Sequence, residues 1–165
     1  MTSQRLKNRH PLRKKEAKRL LEHLSEIFCC EKTLEGIVEE ARLPETREKV
    51  YVVGGVVVAF KTPDGEVVPT LRFLLSANPT CRFLTVDMGA VPHISRGADV
   101  MAPGVVDADL DIKEGDLLWV RDEKHHRPIA VCIALVDGET ILSSTSGRVA
   151  STIHHAGDVF WTAEP

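Results

Sequence analysis

Glycine and arginine residues in the second half of the chain have the types and spacing of a loop that holds a phosphate or a base. Gly97 and Gly104 bracket a short segment, and Arg96 directly precedes it. Glycine lets main-chain amides approach a ligand closely, and an amide-rich helix start adds a favourable dipole. We therefore expect Ser95 to cap a helical turn here, with Arg96 and the more distant Arg148 supplying charge. The alternative is that each glycine serves turn geometry alone.

Positive charge is concentrated at the start of the chain. Residues 1–20 contain eight lysines and arginines but only one acidic residue, whereas the whole chain has a net charge of −3. Apolar residues recur at helical spacing over about 11–28, which predicts a helix. On its polar side lie Lys14, Lys15, Lys18 and Arg19. This side is either a solvated face or a second contact with RNA or the ribosome.

The pattern of residues 1–80 predicts a compact α+β domain. A second helix is expected at about 34–41, and Thr70 is placed to cap a third at 71–76. Valine-rich strands at 50–53 and 56–60 flank Gly54 and Gly55, as in a tight hairpin, and a third strand follows at 66–68. We expect the helices to cover one face of this meander.

From about residue 81 the pattern changes to short strands separated by turns, which predicts a small, mostly antiparallel barrel. The boundary lies near Asn78–Pro79, so the second domain is expected to span 81–165. The predicted strands are 83–86, 100–106, 117–120, 129–136, 140–142 and 159–161. The expected fold class is α+β, an α+β domain followed by a β-barrel.

Three segments carry a more specific signal because of their order along the chain. They are Pro69–Leu74, Val86–Ala90 and Gly97–Gly104. In this order they resemble the malignant T-cell amplified sequence family and its archaeal relatives, which couple a pre-PUA domain to a PUA domain. Gly147–Val149 resembles the family's glycine–basic–hydrophobic loop and adds Arg148. The resemblance implies an RNA surface formed by Arg96, Gly97, Ala98, Val100, Met101, Pro103, Gly104 and Arg148.

The resemblance also implies a function. Eukaryotic members of this family act in translation, so the expected protein is a noncatalytic cytoplasmic RNA-binding factor. Its expected targets are tRNA or rRNA at the small ribosomal subunit, during initiation, re-initiation or recycling, and its candidate protein partner carries an SUI1 domain. Two alternatives stay open, an RNA-modification enzyme or its targeting subunit, and a protein-binding adaptor that uses the acidic loop 107–116.

Motifs for other chemistry are absent or incomplete. The chain has no GxGxxG, phosphate-loop or nucleophile-elbow pattern. Asp107, Asp109 and Asp111 have the opening spacing of a calcium loop, but Ile112 and Leu118 stand where its glycine and its glutamate belong. No apolar stretch approaches the roughly 20 residues that span a bilayer. We therefore expect no metal, no cofactor and no membrane association.

Overall fold

The computed structural model describes residues 4–165, so the first three residues of the predicted 1–80 domain lie outside the described part. The chain divides into two compact units. The first contains the residues before Thr80 together with Gly157–Pro165, and the second is Thr80–Ala156. The mixed α+β class is confirmed. Residues 157–165, which the sequence assigned to the second domain, pack instead within the first unit.

An antiparallel sheet of five strands is the centre of the first unit, with the order β2-β3-β4-β5-β6. A short parallel pair, β1 with β13, lies outside it. In chain order the elements are β1 Gln4–Arg5, β2 Lys7–Pro11, α1 Lys14–Ile27, β3 Val38–Arg42, β4 Lys49–Val53, β5 Val56–Lys61, β6 Val67–Pro69, α2 Leu71–Ala77, α5 Val159–Thr162 and β13 Ala163–Glu164.

Both faces of the two central strands are covered. Every side chain in Val50–Val53 and Val57–Phe60 is buried, and successive side chains in a strand point to opposite faces. Helix α2, helix α5 and β13 pack on β5, while α1 packs on β6. The expectation of a sheet with one buried face is therefore wrong, because the strands are long uninterrupted valine-rich runs that suit burial on both sides.

The hairpin around Gly54 and Gly55 is confirmed, as are the third strand and α2. Thr70 caps α2, and its hydroxyl accepts a hydrogen bond from the Phe73 amide at 3.3 Å. Helix α1 is confirmed with a later start, because Pro11 ends strand β2. The helix predicted at 34–41 is wrong, since Val38–Arg42 is strand β3 and pairs with β4.

The end of the chain forms helix α5, where the sequence predicted a strand at 159–161. The Asp158 carboxylate accepts hydrogen bonds from the amides of Phe160 and Trp161, both at 3.0 Å, and so caps the helix. The Phe160 ring stacks on Phe60 with 3.8 Å between ring centroids. The Arg72 guanidinium lies 4.0 Å from the centroid of the Trp161 ring. These two contacts hold residues 157–165 in the first unit.

A six-stranded sheet forms the second unit, with the order β8-β12-β11-β10-β7-β9. Its neighbours are antiparallel except for β7 and β10. The elements are β7 Phe83–Val86, α3 Val91–Ile94, β8 Val100–Met101, a 3₁₀ turn Ala102–Gly104, β9 Val105–Ala108, β10 Leu117–Asp122, β11 Pro128–Ala134, α4 Gly138–Ser143 and β12 Arg148–His155.

The two edge strands show how this sheet curves. Strand β8 lies at one edge and β9 at the other, yet only the turn Ala102–Gly104 separates them along the chain. The sheet must therefore bend back on itself, and the predicted small barrel is confirmed as a nearly closed one. Its interior contains Leu84, Val86, Ile94, Val100, Leu118, Val120, Ala130, Cys132 and Ile141, among others.

Two predictions in the barrel are corrected. The strand predicted at 140–142 is helix α4, because the Asp137 carboxylate accepts a hydrogen bond from the Thr140 amide at 2.8 Å and caps a helical turn. Ser95 was expected to begin a helical turn, but it lies at the C-terminal end of α3. Within residues 4–165 no helix is both long enough and apolar enough to cross a bilayer.

Candidate nucleic-acid interface

The segment from Ser95 to Met101 runs antiparallel along strand β12 and forms one side of the barrel. At its first end Gly97 adopts φ +100°, and a Cβ atom placed there would lie 2.8 Å from Nε2 of His155. The His155 ring is held in this place because its Nδ1 lies 3.1 Å from the Ser95 carbonyl oxygen and 2.9 Å from that of Ala156. Both neighbours are acceptors, so Nδ1 is the donor.

Gly97 ends helix α3, and this changes the chemistry expected at this position. The amides of Arg96, Gly97 and Ala98 donate hydrogen bonds to carbonyl oxygens of α3, over 2.9–3.2 Å. Glycine with positive φ after the last helical turn is typical of a helix C-terminus. The prediction of an amide-rich helix start at Ser95 is therefore wrong, and these amides are not available to a phosphate.

A series of hydrogen bonds joins the middle of the Ser95–Met101 segment to β12. The Thr152 hydroxyl donates to the Ala98 carbonyl at 2.8 Å, and the Asp99 carboxylate accepts from the Thr152 amide at 2.9 Å. Burial raises the pKa of the Cys132 thiol to about 12, which keeps it protonated. Its sulfur lies 3.3 Å from the Thr152 hydroxyl oxygen and donates to it. The segment is thus fixed to β12 by side chains.

At the far end Met101 lies opposite Arg148 in the register of β8 with β12. The Ala102 amide donates to the Gly147 carbonyl at 2.8 Å and extends this pairing. The Arg148 guanidinium donates to the Asp99 carboxylate at 3.0 Å, and 59% of the Arg148 side chain is exposed. Arg148 is therefore oriented by an ion pair while its outer side stays in contact with solvent.

Burial separates the predicted residues into two groups. Arg96, Ala98, Met101, Pro103 and Arg148 are exposed, and half of Met101 is accessible to solvent. Val100 is completely buried in the barrel core, so its side chain does not reach the surface. Gly104 packs against Ala90, where an added Cβ would lie 3.0 Å from the Ala90 Cβ, and its carbonyl accepts from the Asp87 amide. We name the exposed group the β12 surface.

The β12 surface combines two arginines with exposed apolar groups. Arg96 makes no ion pair within residues 4–165, whereas Asp99 partly neutralises Arg148. Met101 and Pro103 are apolar and exposed. Because a strand rises about 3.3 Å per residue, the two ends of β12 are roughly 20 Å apart. The surface is therefore long enough for several nucleotides and carries little net charge.

In the first unit the four predicted basic residues are all exposed on the first two turns of α1. None of them forms an ion pair in the described part of the chain, and no side chain caps the helix start. Cations at a helix N-terminus face the positive end of the helix dipole, which is unfavourable by about 0.3–1 kcal/mol each. We name Lys14, Lys15, Lys18 and Arg19 the α1 basic surface.

The acidic loop 107–116 is largely occupied by structural contacts. Asp109 accepts a hydrogen bond from the Arg82 amide at 2.6 Å. Asp116 forms an ion pair with the Arg82 guanidinium at 2.7 Å and also accepts from the Lys113 amide. These carboxylates shape the loop, which weakens the interpretation of this loop as a docking site for a partner.

Three residues that organise the β12 surface were not predicted. They are Asp99, Thr152 and His155. Their positions depend on β12, which the sequence did not show as a strand because its polar and apolar residues do not alternate regularly. The one available signal was a glycine at 97 with an acidic residue two positions later, at 99, and both residue types are also common in ordinary turns.

Comparison with known proteins agrees with this architecture. The profile of the PUA domain matches residues 83–156, and that of a domain of unknown function, DUF1947, matches residues 8–77. An uncharacterised protein of Methanocaldococcus jannaschii is 37% identical over 161 residues, which cover 94% of this chain and 96% of the relative. The chain belongs to a family of PUA-domain proteins that carry a DUF1947 domain before the PUA domain. The predicted family resemblance is thereby confirmed.

More distant relatives of this PUA protein are eukaryotic. Translation machinery-associated protein 20 of Saccharomyces cerevisiae is 28% identical, over 71% of this chain and 67% of the relative. The malignant T-cell-amplified sequence 1 homolog of Drosophila melanogaster is also 28% identical, over 66% of this chain and 61% of the relative. Among solved structures, a conserved PUA domain protein from Thermoplasma acidophilum has a TM-score of 0.80 and 34% identity, covering 92% of this chain and 95% of that one.

Proposed function

We propose that this PUA protein binds RNA through the β12 surface and acts as a noncatalytic translation factor. The observation that carries the proposal is the exposed group formed by Arg96, Arg148, Met101 and Pro103 along the β12 side of the barrel. Arginine binds phosphate, and apolar side chains contact sugars and bases. The match to the PUA domain and the translation-associated names of the fungal relatives support the same conclusion.

The hydrogen bonds of the second unit support a binding role rather than a catalytic one. Asp99, Thr152 and His155 hold main chain or an arginine in place, and Cys132 bonds to the Thr152 hydroxyl. A general base or nucleophile needs a lone pair directed at a substrate, whereas the hydrogen bonds of these four side chains are made within the barrel. The proposal therefore assigns to the protein no chemical step on RNA.

The finer target is the small ribosomal subunit. We propose that the β12 surface holds tRNA or rRNA there, with the α1 basic surface as a second contact and an SUI1-domain protein as partner, in initiation, re-initiation or recycling. Sedimentation of the purified protein with small subunits, with and without tRNA, tests this target. If the protein remains unbound in both mixtures, or turns over modified nucleosides, the proposal is wrong.

Arg96→Ala is expected to weaken RNA binding and to flatten its salt dependence. Each lost phosphate contact lowers the salt slope by about 0.7 for single-stranded RNA. Titration of labelled oligouridylate at several salt concentrations measures both effects. Lys113→Ala, which removes another exposed cation of the second unit, is the control and should leave affinity and slope unchanged. Equal loss in both variants would remove Arg96 from the site.

Asp99→Asn is expected to strengthen RNA binding, in contrast to Arg96→Ala. Asparagine keeps an oxygen for the Thr152 amide but no longer pairs with the Arg148 guanidinium. Arg148 then becomes available to a phosphate, so affinity at low salt should rise and the slope should steepen by about 0.7. Arg148→Gln in the Asp99→Asn background should cancel the gain. A slope that Asp99→Asn leaves unchanged would show that Arg148 does not reach the RNA.

A further inference from the structure

A groove in the first unit lies between helix α1 and the segment that precedes β3. It has a volume of about 580 Å³. Its lining is mainly apolar, with two lysines and two glutamates. The lining residues that matter here are Leu12, Leu21, Leu34, Ile37, Lys14 and Lys18. We name it the α1 groove.

The walls of the α1 groove expose apolar surface that the chain itself does not cover. Ile37 is 75% exposed, the highest value among the large apolar side chains in the described range. Val38 beside it is completely buried and Leu21 nearly so. The exposed Ile37 and the buried Val38 and Leu21 line the same groove. A contiguous apolar patch of this kind on a folded surface is typical of a contact for another molecule.

The main chain along one wall is also available. Thr33–Gly36 lies outside any helix or strand and makes no main-chain hydrogen bond within residues 4–165. Strand pairing begins only at Val38, opposite Val53. Unpaired amides and carbonyls beside apolar pockets are the features to which an extended peptide adds as a strand. RNA has no regular series of alternating amides and carbonyls with which to pair.

The charged residues that line the groove predict the orientation of a bound peptide. Lys14 and Lys18 line it on the first turns of α1, both exposed. Glu22 follows one turn later on the same helix face, and Glu35 lies on the other wall. Because opposite charges are favoured across an interface, a peptide should present acidic residues to the lysine end. A basic residue suits the end that meets the glutamates.

We infer that the α1 groove binds an extended segment of a partner protein. Apolar side chains of the segment fill the groove over Ile37, its main chain pairs with Thr33–Gly36, and its acidic end meets Lys14 and Lys18. This goes beyond the proposed RNA binding, although Lys14 and Lys18 are shared with the α1 basic surface.

Selection from a phage library of short random peptides tests the inference on the whole chain. Enriched peptides should combine apolar positions with acidic residues at one end. They should bind Ile37→Gln at least about tenfold more weakly, a loss of about 1.4 kcal/mol. Leu75→Gln is the matched control, because Leu75 is an exposed leucine of α2 that does not line the groove. Unchanged thermal unfolding of Ile37→Gln shows that the fold is intact.

Charge reversal at the groove tests the predicted orientation of the peptide. The double variant K14E and K18E should lose the enriched peptides and recover versions in which lysine replaces their acidic residues. Lys15→Gln with Arg19→Gln should leave peptide binding unchanged, which separates the groove from RNA binding on the same helix. The inference is overturned if no peptide is enriched, if enriched peptides bind Ile37→Gln equally, or if charge reversal changes nothing. It also fails if a second copy of the chain displaces the peptides, since that copy would then be the occupant.

Discussion

Gly97→Ala is expected to destabilise the protein and to weaken RNA binding at the same time. A side chain at positive φ costs about 1–2 kcal/mol, and crowding a well-packed site costs about 1–3 kcal/mol more. The crowding is specific, because the new Cβ would lie 2.8 Å from Nε2 of His155. The ring cannot move away without breaking its hydrogen bonds to the Ser95 and Ala156 carbonyls.

Gly115→Ala separates the cost of backbone strain from the cost of side-chain crowding. Gly115 has a similar φ of +88°, but no atom lies within 4 Å of a Cβ placed there. This variant should be destabilised only by the cost of a side chain at positive φ, about 1–2 kcal/mol. It should bind RNA as tightly as the parent protein. Chemical denaturation and oligouridylate titration measure both variants. If the two lose equal stability and equal affinity, the contact between Gly97 and His155 does not position the β12 surface.

The fold was predictable where local pattern and tertiary packing agree. Long runs such as Val50–Val53 and Val56–Phe60 around two glycines indicate a hairpin without further information. The segment 34–41 was misassigned because Val38 and Ala41 have helical spacing, whereas pairing with β4 makes them part of a strand. Non-local pairing of this kind leaves no mark in a single sequence. Asp137 and Asp158 cap short helices where the sequence predicted the strands 140–142 and 159–161.

The location of the candidate site stays a prediction, and its local chemistry differs from what the sequence suggested. The exposure of Arg96, Met101 and Arg148 agrees with the surface that the family resemblance implied, while Val100 faces the core. Glycine at 97 suggested free amides, yet the structure uses these amides to end helix α3. A glycine has the same appearance in sequence whether it admits a ligand or a neighbouring ring. Only the position of His155, 58 residues further along the chain, distinguishes the two.

The largest effect on binding to ribosomes is expected from removing the α1 basic surface. Replacing all four of its residues by glutamine preserves the helix propensity and removes four positive charges. These residues are Lys14, Lys15, Lys18 and Arg19. If all four contact phosphates, the salt slope falls by about 2.8, at about 0.7 for each contact. Stability should not decrease, because these cations oppose the helix dipole. Sedimentation with small subunits over a range of salt concentrations measures the change.

A position control distinguishes a surface that contacts RNA from a general effect of charge. Lys15→Gln with Arg19→Gln removes two charges from the α1 basic surface, and Lys32→Gln with Arg47→Gln removes two exposed charges elsewhere in the first unit. Long-range attraction depends on net charge and is largely screened beyond about 8 Å at physiological salt. Direct phosphate contact depends on position. Only the first pair should lower binding at physiological salt, and equal binding by the parent and both variants would identify the helix side as a solvated face.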